Sequence, residues 1–177
     1  LKEFDLEIDY IDENSFTQLI NFLFSFPHLE SISLETANRL RNISLPPLPQ
    51  KIKQLSLIRF EIFMEDGVTS FWNPENLSQL THLYVENTFE VFPYFLFGLE
   101  QLEYLEIHNS MNGDISSVTD QCCSRLKHLS IQSQYLIPLL SNFENNFPVI
   151  ETLEISTVKS VDYDMHLKTI ISSKTLK

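Results

Sequence analysis

The 177 residues include 24 acidic and 12 basic side chains, a formal net charge of −12 at pH 7. That balance repels phosphate backbones and anionic membrane surfaces, so neither nucleic acid nor membrane is an expected partner, and a basic protein is favoured. Hydrophobic residues make up 43%, too many for a disordered chain, and the three scattered glycines, Gly67, Gly98 and Gly113, cannot build a phosphate-cradling loop.

In chain order, the first signal is Leu1-Phe4-Leu6, whose last two apolar residues are two apart, as one face of a strand requires. Residues 15–26 then place Phe16, Leu19, Ile20 and Leu23 on one helical face, behind a capping Asn14 or Ser15. The strand pattern (apolar, two variable, apolar, one variable, apolar) returns as Leu29-Ile32-Leu34 and Ile52-Leu55-Leu57. Residues 61–79, with Gly67, Trp72 and Pro74, are expected to form an irregular loop with one helical turn at most, and Trp72 to pack against the convex side of the molecule. The pattern resumes as Leu80-Leu83-Val85, Leu102-Leu105-Ile107, Leu126-Leu129-Ile131 and Ile150-Leu153-Ile155. Weaker helical signals lie at 139–145 and 165–172, and Leu176-Lys177 is in register with an eighth strand. The most apolar runs, 19–26 and 92–99, are far shorter than the roughly 20 residues of a membrane helix.

Seven matches begin 28, 23, 28, 22, 24 and 24 residues apart, within the roughly 20–29-residue period of leucine-rich repeats. Flanking residues recur too: Phe26-Pro27-His28-Leu29-Glu30 and Phe147-Pro148-Val149-Ile150-Glu151 are near copies set just before a strand. Cys122 and Cys123 are adjacent and cannot bridge each other without severe strain, so they are expected to be small buried hydrophobes in an intracellular protein. Since the first residue is already in register and neither end carries a polar cap, the parent chain is expected to extend both ways.

These motifs resemble the leucine-rich-repeat superfamily over essentially the whole chain. The irregular repeat length and helical connectors are similar to its intracellular, ribonuclease-inhibitor-like and F-box-associated branch. The chain departs from that family three residues after the last strand leucine, where Asn or Cys is usual and Asp9, Ala37, Phe60, Thr88, Ser110, Gln134 and Val158 stand. The resemblance implies an α/β solenoid, a single domain over 1–177, with a curved parallel sheet on the concave side and helices and loops on the convex side. It further implies an intracellular protein-binding scaffold, in the first instance the substrate-recognition region of an F-box-type ubiquitin-ligase receptor. The alternative is a stand-alone inhibitor or adaptor that grips a basic protein.

In such a sheet the variable strand positions form three columns across neighbouring repeats. The first holds Glu3, Ser31, Gln54, His82, Tyr104, His128 and Thr152. The second holds Asp5, Ser33, Ser56, Tyr84, Glu106, Ser130 and Glu154. The third holds Glu7, Glu35, Ile58, Glu86, His108, Gln132 and Ser156. Seven of these 21 residues are carboxylates and none is Lys or Arg. The expected binding surface is the central group His82, Tyr84, Glu86, Tyr104, Glu106, His108 and His128, where tyrosines supply contact area and histidines add sensitivity to pH. His82 and His128 lie two strands apart, roughly 9–10 Å, too far to share a zinc ion. No nucleophile elbow, metalloprotease helix, paired CxxC or phosphate loop occurs. No enzymatic activity, metal or cofactor is therefore expected.

Overall fold

A computed structural model describes residues 1–9, 11–36, 46–59, 77–86, 99–108, 123–132 and 143–156. Seven strands, β1 (Glu3–Ile8), β2 (Ser31–Thr36), β3 (Gln54–Ile58), β4 (His82–Glu86), β5 (Tyr104–His108), β6 (His128–Gln132) and β7 (Thr152–Ser156), form one sheet in sequence order. All six pairings are parallel and align equivalent residues, for example Leu55 with Leu83 and Leu83 with Leu105. The spacing predicted this arrangement, and the architecture is α/β, with two helices among the described residues.

Each strand begins two residues after the first apolar residue of its motif, and a turn explains the offset. The N–H groups of Leu29, Ile52, Leu80, Leu102, Leu126 and Ile150 donate to the carbonyls three residues earlier, at Phe26, Pro49, Leu77, Leu99, Cys123 and Phe147. Proline suits these corners because it has no N–H to satisfy, and Pro27, Pro49 and Pro148 all lie in or beside them. The chain then enters the sheet through a second recurring contact. One carbonyl accepts two N–H groups of the following strand: Lys2 from Glu30 and Ser31, Glu30 from Lys53 and Gln54, Lys53 from Thr81 and His82. Thr81, Glu103 and Lys127 continue the series, with N···O distances of 2.7–3.1 Å.

Alternation within the strands builds the core. Ile32, Leu34, Leu55, Leu57, Leu83, Val85, Leu105, Ile107, Leu129 and Ile131 are buried, and the turn residues Leu77, Leu99, Cys123 and Phe147 join them in one continuous cluster. Cys123 thus occupies a place filled by leucine, phenylalanine or proline elsewhere, as its reading as a small hydrophobe requires. At roughly 25 cal/mol per Å² of apolar surface removed from water, this repeated row dominates the driving force for folding.

Helix α1 (Glu13–Ser25) adds Phe16, Ile20 and Leu23 to the core. Its cap is neither Asn14 nor Ser15 but Asp12, whose carboxylate accepts from the Asn14 and Ser15 N–H groups at 3.0 Å and from the Ser15 hydroxyl at 2.5 Å. A charged carboxylate at the positive end of the helix is the stronger acceptor, so the helix starts earlier than its apolar stripe. At the other end the Lys51 ammonium donates to the Phe24 carbonyl at 2.8 Å and to that of Phe26. Helix α2 (Phe143–Asn146) is a single turn. The expectations for 61–76, Trp72, Cys122, 139–142 and 165–172 lie outside the described residues. No described helix is long and apolar enough to cross a membrane.

Candidate functional site

The side chains between the core positions project from the other face of the sheet, which is open along β1 to β5, whereas on β6 its Ser130 and Gln132 are buried. Sheet register places the three columns as the repeat required: Gln54, His82, Tyr104, His128 and Thr152 align, as do Ser56, Tyr84, Glu106, Ser130 and Glu154. All seven expected site residues therefore stand on three adjacent strands. His82, Tyr84 and Glu86 lie on β4, Tyr104, Glu106 and His108 on β5, and His128 on β6.

Their contacts are more specific than their register. The His82, Tyr104 and His128 rings stack in sequence, with centroids 5.5 and 4.0 Å apart and planes inclined by 22° and 6°. Tyr104 thus separates the two imidazoles, which do not converge on a common point. The ring of Tyr84 lies 5.7 Å from that of His108, tilted by 48°. Its hydroxyl donates along the strand to Glu86 Oε2 at 2.6 Å. His108 Nε2 lies 3.1 Å from Glu106 Oε2 and 3.5 Å from Ser130 Oγ, and His128 Nε2 lies 4.0 Å from Glu106 Oε1.

Electrostatics follow from these contacts. Burial alone would raise the Glu106 carboxyl, but hydrogen bonding to Tyr104 and His108 and the charges of His108 and His128 outweigh it, leaving the group below its ordinary value. Hydrogen bonding to Glu106, then burial, then the charges of Glu106 and Glu154 push the Tyr104 phenol up to about 12. Burial, the bond to Glu86 and the charges of Glu86, Glu106 and Glu35 push Tyr84 up as well. Both phenols stay protonated at neutral pH and serve as hydrogen-bond donors, not as bases.

Carboxylates on this face differ in how they are engaged. Glu86 and Glu106 accept bonds from neighbouring side chains, and Glu35 pairs with Arg59 at 3.1 Å. Glu3, Asp5 and Glu7 are exposed on β1 and have no ion-pair partner among the described residues.

Several contributors were not expected from sequence. Arg59 stands one position beyond the third column, with φ at 62°, a left-handed conformation uncommon for a residue with a β-carbon. Its N–H donates to the Glu86 carbonyl at 2.7 Å while its guanidinium turns back to β2, so one residue ties together three strands. Thr81 Oγ1 lies 2.9 Å from His82 Nδ1 and so orients the first ring of the stack. One position before the first column runs Lys2, Glu30, Lys53, Thr81, Glu103, Lys127 and Glu151, in which Lys2 meets Glu30 at 4.0 Å and Lys127 meets Glu103 at 2.7 Å. The signal for that charged rim was present one residue upstream of the first column in every repeat.

Among the described residues, no group of three or more metal-ligating side chains is placed to hold an ion. Comparison with protein-family models, with curated proteins and with solved structures gives no match to this chain.

Proposed function

We propose that this chain is a leucine-rich-repeat scaffold that binds a basic protein through the open face of its sheet, inside the cell, and performs no chemistry of its own. One observation carries the reading: 21 aligned positions with seven carboxylates, a central stack of aromatic and imidazole rings, and no Lys or Arg. Exposed Glu3, Asp5 and Glu7 steer a basic partner, and the β4–β6 centre supplies contact area. Because both faces of Tyr104 are covered by imidazoles, the partner meets ring edges and the phenol, not a free stacking platform.

Within this proposal, the resemblance of the repeats supports the substrate-recognition region of an F-box-type ubiquitin-ligase receptor as the first reading. The acidic face also suits a stand-alone inhibitor or adaptor of a basic protein, and an F-box elsewhere in the same polypeptide would separate the two.

A photo-crosslinking residue in place of Tyr84 should capture the partner, with a yield that falls as salt rises. The same residue in place of Phe22, which is exposed on α1, should not. In calorimetry with the captured partner, Tyr84→Ala and Tyr104→Ala should each weaken binding by about 1–3 kcal/mol, once circular dichroism has established that they fold. Capture from position 22 alone, or wild-type affinity in both variants, would refute the proposal.

A further inference from the structure

The middle of the open face gathers imidazoles around one carboxylate. Glu106 receives His108 Nε2 at 3.1 Å on one oxygen and faces His128 Nε2 at 4.0 Å on the other. The His128 side chain is only 12% exposed, and its Nε2 has no hydrogen-bond partner among the described residues. Glu106 is faced by His82, Tyr84 and Glu86 from β4, by Tyr104 and His108 from its own strand, and by His128 from β6. Ser130 and Gln132 of β6 and Gln54, Ser56 and Ile58 of β3 are uncharged. Glu154 lies beyond on β7, the Glu35–Arg59 pair on the β2 side, and the Glu103–Lys127 pair at the strand entrances.

We infer that this cluster is a proton-operated gate on the binding face, in which protonated His108 and His128 hold the Glu106 carboxylate within the protein and release a basic partner. The inference rests on the reading of this face as the site for such a partner. With neutral imidazoles, the nine column residues of β4, β5 and β6 carry two negative charges, those of Glu86 and Glu106. With His82, His108 and His128 protonated, the same residues carry one net positive charge. Each protonated Nε2 beside Glu106 offers a charge-assisted N–H, and the Tyr104 ring presents a π face to the cation on either side. Imidazole is the side chain whose ordinary titration falls in the mildly acidic range, so the reversal needs only protons from solvent.

Two measurements on the intact chain test the gate. In NMR, the Glu106 carboxyl carbon should show a step that coincides with protonation of the His108 and His128 ring nitrogens, followed on the same sample. That step should vanish in the His108→Gln/His128→Gln double variant, and a flat Glu106 signal in the wild type would overturn the gate. In calorimetry at constant ionic strength, a nona-arginine peptide should bind the wild type about tenfold or more weakly at about pH 5.5 than at about pH 7.5. The double variant should show little change. Equal wild-type affinity at both pH values overturns the gate alone. No binding even at the higher pH overturns the basic-partner reading and the gate with it. The wild-type comparisons decide the matter whether or not the double variant folds.

Discussion

At the scale of single residues, the core positions were the most legible. Leu105 is fully buried on β5, with Leu83 and Leu129 as its aligned neighbours. Leu105→Ala should cost roughly 2–5 kcal/mol, the usual penalty for emptying such a site, and lower the denaturant midpoint at unchanged slope. The tyrosines give a pH prediction of definite sign. Tyr104 is raised from 10.0 to about 12, so its protonated form contributes stability that is complete below pH 10 and lost as pH rises toward 12. Tyrosinate absorbance and circular dichroism should therefore change together in that window, and in Tyr84→Phe/Tyr104→Phe the alkaline loss should shrink. Glu106 has the opposite sign: its depressed value contributes stability present above 4.5 and lost as pH falls further. Column membership of all seven site residues could be read from period alone. Ring orientation could not, because χ angles depend on neighbours across strands: nothing in the spacing says that Tyr104 is sandwiched or that Arg59 folds back on Glu35.

Among the elements, strands were read more accurately than helix ends. A strand's alternation is enforced by the core at every second residue, whereas the start of a helix is decided by a single acceptor. For α1 that acceptor is Asp12, and bonds from Ser15 and Asn14 also hold its carboxyl below the ordinary value despite full exposure. Asp12→Ala should speed amide exchange in the first turn of α1 several-fold and leave the strands unaffected. The same fraying should appear in the wild type as acid protonates Asp12, since a lowered carboxyl loses its contribution as pH falls. If first-turn exchange is unchanged in Asp12→Ala, the cap is not what starts the helix. The other end of α1 was illegible for a different reason. No basic residue lies in its last turn, and the cation that satisfies its carbonyls is Lys51, from the segment leading into β3. No local reading of α1 reaches that far.

For the molecule as a whole, strand order equals chain order, so among the described residues each strand pairs only with its predecessor and successor. Damage should therefore stay local. Leu34→Ala should erode hydrogen-exchange protection in β1, β2 and β3 and spare β6 and β7; uniform loss across all seven strands would indicate a single cooperative block instead. The paired N–H groups that converge on the Lys2, Glu30, Lys53, Thr81, Glu103 and Lys127 carbonyls have a mechanical consequence. These bonds and the ladders beside them point along the direction in which strands succeed one another. A force that draws β1 and β7 apart meets them in series, not side by side as in a sheared sheet. Under tension the chain should yield as an unzipping thread, one strand per event, at modest and repeated force. Each event should release the 22–28 residues of one repeat, about 75–100 Å of contour. A body of this kind surrenders length gradually when pulled from its ends.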